Sequence, residues 1–232
     1  SILGSANSRY LEAVFDHEGV KQTLENLYEK HAFLLRDEKK SSWYAMHPMF
    51  ARYLLNGQDL GQAKEMYRTA CEWLFEQGFN IAAVEMALKS DDILRASELL
   101  ELTAEKILEE QDLAQLLHWK KRLPDSIIVT SPRLIIIFSW TLALAQQLDE
   151  AERLMAQMDR LLSLDKKLIN DEISGQLFAI RAYIARGRGN IDNAISLCQQ
   201  AIEKLPTKNH VAKAITYYNL SNAYMTLDKL SQ

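Results

Sequence analysis

Turn-forming residues are scarce in this sequence, which has eight glycines and four prolines among 232 residues. A sheet of many strands needs frequent turns and relies on Gly and Pro to make them, so this scarcity argues against an all-β fold. At 48% apolar and 25% charged residues, the composition is that of a folded globular chain. We therefore expect a mostly helical, all-α protein.

Long apolar runs, paired cysteines and basic clusters are also lacking. The longest apolar run, at 134–145, has 12 residues, too short to cross a bilayer, and the start of the chain does not have the pattern of a signal peptide. Cys71 and Cys198 each lie in an apolar helical pattern, so buried free thiols are favoured over a disulfide or a metal site. We expect a cytoplasmic protein that does not contact membranes.

The formal charge of −4 is unevenly distributed. Residues 57–110 carry 5 Lys/Arg and 12 Asp/Glu, a net −7, whereas residues 111–232 carry 15 and 12, a net +3. Neither part has the concentrated positive charge of a nucleic-acid-binding face. The sequence begins with SILGSANSRY and has no initial methionine, so we expect a fragment of a longer chain.

The first 50 residues change from a helical to a strand-like pattern. Helical spacing at 8–16 and 20–30 is followed by AFLLR, a charged turn DEKKSS and WYAMH, which predict a β-hairpin confined to about 32–46. Helix, helix and hairpin is the order found at the end of a winged helix. One of Trp43 and Tyr44 should face the core. His47-Pro48 should start the next helix, and we assign His47 a structural role because no metal-ligand partners lie at useful spacing.

Helix follows helix from about Asp59 onward, with signs of a degenerate repeat. The segment 178–206 matches the tetratricopeptide template through small residues at Ala182, Ala194 and Ala201 and through Pro206 at its end. Other units repeat at irregular offsets: 63, 67 and 70 correspond to 96, 100 and 103, and 151, 155 and 158 to 194, 198 and 201. The last half-repeat, 214–230, lacks a partner helix, so we expect the natural chain to continue.

Three phrases together are fairly specific: WYAMHPMFARYLL, ACEWLFEQGFNIAAVEMALKSDDILRASELLE and WKKRLPDSIIVTSPRLIIIFSWTLALAQQLDEAERLM. Through them the chain resembles, from about residue 10 to 230, the MalT-like branch of the large LuxR-type bacterial transcription activators. The resemblance implies the end of a winged-helix domain at 1–56 and a tetratricopeptide-like right-handed superhelix of antiparallel helix pairs at 57–232. In that family these modules lie between a nucleotide-binding module and a C-terminal helix-turn-helix.

Two of the family's motifs are missing from the sequence. It has no Gly-x-x-x-x-Gly-Lys-Ser/Thr phosphate loop, since GRGNIDNA lacks the lysine and the spacing, and it has no C-terminal DNA-reading helix pair. We therefore expect no enzyme activity and no cofactor in this chain. By the resemblance, ATP or ADP with Mg²⁺ belongs to the parent protein, DNA is bound only through the missing helix-turn-helix, and the parent self-associates on activation.

The concave groove of such a superhelix is the candidate ligand site. Aromatic, guanidinium and amide groups facing it suit a sugar, a carboxylate or a peptide terminus. The alternative is that Trp140 and Tyr183 are core residues and the arginines a solvated face. The predicted ligand-binding residues are Arg133, Trp140, Gln176, Tyr183, Arg186, Tyr218 and Asn222, with Ile136 beside them.

Other polar pairs have simpler explanations. Asp91-Asp92 is predicted to form a turn and helix N-cap rather than a catalytic carboxylate pair, and His118-Trp119 is predicted to pack within a helix whose charged end is 120–122. A Ser-His-Asp or Cys-His set cannot be assembled from these positions, and no metal site is expected.

Two functions remain open. The first is a sensor module that binds a small-molecule inducer or a regulatory protein and passes the signal through the winged helix to an ATPase. The second is a tetratricopeptide scaffold that holds a partner peptide without switching. The winged-helix segment at 8–47 favours the first, because a free-standing scaffold has no need of it.

Overall fold

The computed structural model describes residues 5–7, 11, 19–30, 34–36, 43–46, 60–110 and 112–230. It contains two compact units, Ser1–Leu99 and Leu100–Gln232, and each is described by itself. The domain boundary expected between residues 56 and 57 lies outside the described residues and stays a prediction.

The N-terminal unit begins with a small antiparallel sheet. Strand β2 (Leu34–Arg36) pairs with β3 (Trp43–Met46), as the predicted hairpin requires. Helix α1 (Val20–Glu29) precedes the hairpin and also follows the prediction. Tyr44 is the inward-facing aromatic: it is 5% exposed and meets the ring of Tyr28 edge-on at 6.2 Å between centroids. Of the helix expected at 8–16 the structure describes Leu11, which is helical, and the helix start expected at His47-Pro48 falls outside the described residues.

A third strand corrects the expectation that strands are confined to about 32–46. Strand β1 (Ser5–Asn7) pairs antiparallel with β3, so the strand order is β1-β3-β2 and β3 is central. Its sequence, Ser-Ala-Asn, has neither β-branched nor aromatic residues and no apolar alternation. Pairing with the backbone of β3 stabilises this strand, and backbone pairing leaves no signal in the sequence.

Helices form the rest of the N-terminal unit. They are α2 (Leu60–Glu76), α3 (Asn80–Lys89) and the first part of α4 (Ile93–Glu109). Asp91 has the positive φ of 58° that the predicted turn requires, and Asp92 Oδ1 caps α4 by accepting from the Arg95 amide at 3.1 Å. The Arg95 guanidinium donates to both carboxylate oxygens of Glu72, at 2.9 and 2.7 Å, which holds α4 against α2.

The described part of the C-terminal unit contains the remainder of α4 and seven further helices. Side-chain caps mark several helix starts, including Ser131 at α7 and Asn190 at α10, each accepting from the amide three residues on. A short 3₁₀ turn, Lys166–Leu168, precedes α9. The helices are α5 (Leu113–Arg122), α6 (Asp125–Ile128), α7 (Pro132–Leu144), α8 (Leu148–Leu164), α9 (Asp171–Gly187), α10 (Ile191–Lys204) and α11 (His210–Leu230).

The predicted all-α fold class is confirmed, because the described residues from 60 onward contain helices and turns but no strand. The offset of 33 is reproduced by the bounds of α2 and α4, from Leu60 to Ile93 and from Glu76 to Glu109. The offset of 43 is reproduced by the starts of α8 and α10, Leu148 and Ile191. Assignment of these pairs to the tetratricopeptide class stays a prediction.

Small residues hold α9 and α10 close together. Ala182, Ala194 and Ala201 are each 0% exposed, as the repeat pattern predicts. A Cβ atom added to Gly175 would lie 2.8 Å from the backbone nitrogen of Leu205, so the start of α9 approaches the end of α10 too closely for a larger residue.

Overpacking the contact between α9 and α10 tests the predicted alignment of the repeats. Ala194→Leu is expected to lower the free energy of unfolding by about 1–3 kcal/mol, because the added atoms must force two packed helices apart. The same change at Ala214, which is exposed on α11, should alter it by less than about 0.5 kcal/mol. Denaturant melts of both variants measure the difference. Equal stabilities would show that the register is wrong.

Other expectations about single residues are also confirmed. Cys71 and Cys198 are buried free thiols, and burial raises the pKa of the Cys71 thiol to about 11. Trp119 is fully buried, and residues 120–122 form the basic last turn of α5.

None of the described helices is both long enough and apolar enough to cross a membrane.

Candidate functional site

A cavity of about 420 Å³ lies within the C-terminal unit, lined by residues of the second half of α4, of α7 and of the first halves of α9 and α11. Its size is in the range of small-molecule sites. Most of its lining is aliphatic: Leu102, Leu108, Ile136, Ile137, Leu144, Ile173, Val211, Ala212 and Ile215. Its polar lining consists of Glu101, Arg133, Asn170, Glu172, Gln176, Lys208 and Asn209, and Trp140 completes it.

The cavity brings together three of the predicted ligand-binding residues, Arg133, Trp140 and Gln176, with Ile136 beside them. Arg133 is exposed at the start of α7 and forms no ion pair within the described part of the chain. Gln176 is half-buried and its Oε1 accepts a hydrogen bond from Trp140 Nε1 at 2.7 Å. Register alone therefore placed a cation, an aromatic N–H and an amide in one cavity.

Trp140 belongs to the core, as the alternative interpretation held. It is 3% exposed, its N–H is occupied by Gln176, and the ring of Tyr183 meets it edge-on at 6.4 Å between centroids. A ligand therefore has no open indole face on which to stack.

Tyr183 and Arg186 continue the same face of α9 beyond the cavity. Arg186 Cζ lies 5.5 Å from the centre of the Tyr183 ring, and its Nε donates to the Oδ1 of Asn219, which is 1% exposed. Gln146 donates to the Tyr183 hydroxyl at 3.1 Å. This packed cluster joins α9 to α11 beside the cavity rather than lining it.

These contacts show that Arg186 is not part of the solvated face that the alternative interpretation assigned to the arginines. A solvated arginine would contribute little to stability, but this guanidinium is half-buried and satisfies a buried amide oxygen. Replacing it with alanine would leave that oxygen without its partner, which costs about 1–3 kcal/mol. Loss of ligand binding in that variant would therefore not identify a ligand contact.

Tyr218 and Asn222 lie apart from the cavity. The Tyr218 side chain is 66% exposed, and Asn222 Nδ2 donates to the backbone oxygen of Tyr218 at 2.9 Å. Both follow Val211 and Ile215 along one face of α11 at the spacing of a helical stripe. The face of α11 predicted to bind ligand does reach the cavity, through Val211 and Ile215. Tyr218 and Asn222 lie on the same face but beyond the cavity.

The sequence reasoning missed most of the polar residues at the cavity. Glu101 accepts a hydrogen bond from the Ser131 hydroxyl, Glu172 pairs with Lys208 at 3.2 Å, and Asn209 is 5% exposed. They come from the middle of α4 and from the first turns or caps of helices, where capping explains a polar residue equally well. No cluster of three or more metal-ligating side chains occurs in the described residues.

Comparison with known proteins agrees with this architecture. Residues 1–65 match the family described as the MalT winged helix domain. The chain is 26% identical over 218 residues to the HTH-type transcriptional regulator MalT of Klebsiella pneumoniae (strain 342), covering 93% of this chain and 24% of that protein. The protein of the same name from Cronobacter sakazakii (strain ATCC BAA-894) gives the same identity and coverage. No solved structure matches the chain.

The resemblance to MalT stated from the sequence is therefore confirmed. The chain spans 24% of the length of the curated relatives it matches. Similarity extends through the helical region as well as the winged helix, since it covers 93% of the chain.

Proposed function

Taking the chain to be MalT-like over most of its length, we propose that it is a non-catalytic sensing module of a LuxR-family transcriptional activator. In this role the helical region binds an inducer, and the winged-helix region passes the change to an ATPase and DNA-binding parent. The observation that supports this most strongly is the cavity of about 420 Å³ within the C-terminal unit. Its size, and a mostly aliphatic lining with a few polar groups, are typical of small-molecule sites.

Sensing requires that ligand binding favour one state of the protein over another. The cavity is suited to this because its lining comes from four helices that are separated in the sequence, α4, α7, α9 and α11. A ligand that contacts all four helices binds most tightly to the arrangement of helices in which all of these contacts form, and so stabilises that arrangement. The same proposal places the protein in the cytoplasm, with nucleotide and DNA binding confined to other parts of the parent.

A thermal-shift screen of this chain tests the proposal. The screen covers neutral sugars, short-chain carboxylates, amino acids and aromatic metabolites. A compound present at a hundred times its Kd should stabilise the folded chain by about 2.7 kcal/mol, and the compound should be recovered chemically unchanged. If no compound raises the melting temperature, the small-molecule form of the proposal fails. Conversion of the compound would show that the module is an enzyme.

A further inference from the structure

The polar groups of the cavity are gathered at one end. Connections of three residues, 145–147 and 188–190, make α7 and α8, and α9 and α10, into helical hairpins. Because α8 and α10 each return the chain, α7, α9 and α11 run in the same direction and begin at the same end of the cavity. Arg133, Glu172 and Asn209 lie at these three starts.

Two of the four charged side chains that line the cavity already pair with each other. Lys208 and Glu172 neutralise each other at 3.2 Å. Two charged groups have no ionic partner within the described part of the chain: Arg133, and Glu101, which accepts only from the Ser131 hydroxyl. Ser131 caps α7 and Arg133 lies two residues further on, so these unpaired charges of opposite sign flank the start of one helix.

Asn209 adds a neutral group with unused hydrogen-bonding capacity. It is 5% exposed and lines the cavity, yet its side chain has no hydrogen-bond partner among the described residues. Its polar side-chain atoms are not sealed from solvent, because the buried side-chain atom left without a partner in the described residues is Ser139 Oγ. Its accessible atoms are therefore suited to a polar ligand group that enters this end of the cavity.

The formal charges of the lining side chains cancel, with Arg133 and Lys208 against Glu101 and Glu172. A ligand that carries a net charge would disturb this balance, whereas one with adjacent opposite charges could satisfy Arg133 and Glu101 together. The positive ends of three helix dipoles favour a carboxylate beside Arg133. The aliphatic lining beyond, which includes Ile136, Ile173 and Ile215, suits an apolar side chain.

On the basis of the proposed sensing role, we infer that the cavity takes a small aliphatic α-amino acid in its zwitterionic form. The carboxylate of the amino acid binds Arg133 and the Asn209 amide, its ammonium binds Glu101, and its side chain contacts the isoleucines. A neutral sugar is less suited to the site, because the indole face of Trp140 is buried and its N–H is already bonded to Gln176.

Titration calorimetry with three compounds of one carbon skeleton tests this inference. L-Leucine carries both charges, leucinamide lacks the carboxylate, and 4-methylpentanoate lacks the amine. Leucine should bind with one site per chain, and each of the others at least about tenfold more weakly, because each leaves one charged group of the cavity without its partner.

Two variants test which residue binds each charged group of the amino acid. Arg133→Ala should remove the preference for leucine over leucinamide, and Glu101→Gln should remove the preference for leucine over 4-methylpentanoate. The glutamine still accepts from Ser131, which protects the cap of α7. Arg181→Ala is the control, since Arg181 pairs with Asp159 away from the cavity, and it should bind leucine as the wild type does.

The inference is overturned if leucine binds no better than the other two, or if both preferences survive in the variants. A neutral disaccharide that binds when leucine does not would also overturn it, while leaving the proposed sensing role intact. The sensing role itself is tested separately, by the wider thermal-shift screen, and fails if that screen finds no ligand.

Discussion

Replacing Trp140 with alanine is expected to lower the free energy of unfolding by about 3–5 kcal/mol, the usual effect of removing a buried aromatic side chain. The indole is 3% exposed and joins α7 to α9 through Gln176 and Tyr183. Its removal leaves a cavity and also takes the donor from the Gln176 oxygen. Denaturant melts of the purified chain measure the loss.

Two variants show whether that loss has the stated cause. Trp140→Phe keeps an aromatic ring but lacks the N–H, so it should cost less than the alanine change. Arg133 lines the same cavity from an exposed position. Arg133→Ala should therefore change the free energy of unfolding by less than about 0.5 kcal/mol. A Trp140→Ala chain as stable as the wild type would contradict the core assignment and reopen a direct ligand role for this indole.

Filling the cavity is expected to abolish inducer-dependent transcription in the full-length regulator to which we propose this chain belongs. Val211 is half-buried on the cavity side of α11, so Val211→Trp places an indole where a ligand would lie. Nucleotide binding should persist, because the chain lacks a phosphate loop and that function is assigned to another part of the parent. A reporter assay with the screened ligand, together with a nucleotide-binding assay, measures both properties.

Ala214→Trp is the matched control for that experiment. Ala214 lies on the same helix, three residues further on, and is exposed. It should leave the response to inducer unchanged. A response that survives Val211→Trp would place the sensing surface elsewhere in the protein.

Helices and their ends were predictable because the determinants are local. Gly189 has the left-handed φ of 80° in the turn before α10, and Asn190 caps that helix. The repeat offsets of 33 and 43 were visible because the alanines that permit close packing recur within helices of similar length. Strand β1 was not predictable, since Ser5–Asn7 is held by its pairing with β3 rather than by its own side chains.

The helix faces that reach the cavity could be predicted from the sequence, but the length of each face that lines it could not. Repeat register identified the helix faces that reach the cavity, which is why Arg133, Trp140 and Gln176 lie together. How far the cavity runs along each face depends on which neighbouring side chains close it. Arg186 bonds to Asn219 instead of lining the cavity, and the sequence alone gives no sign that these two residues meet.

The most direct test of the sensing role is calorimetric titration of the ligand found in the screen into three forms of this chain. The wild type and Ala214→Trp should each bind with one site per chain and the same affinity. Val211→Trp, if it remains folded by circular dichroism, should not bind detectably. Equal binding by all three forms would contradict the account, because the ligand would then occupy a surface outside the cavity formed by α4, α7, α9 and α11.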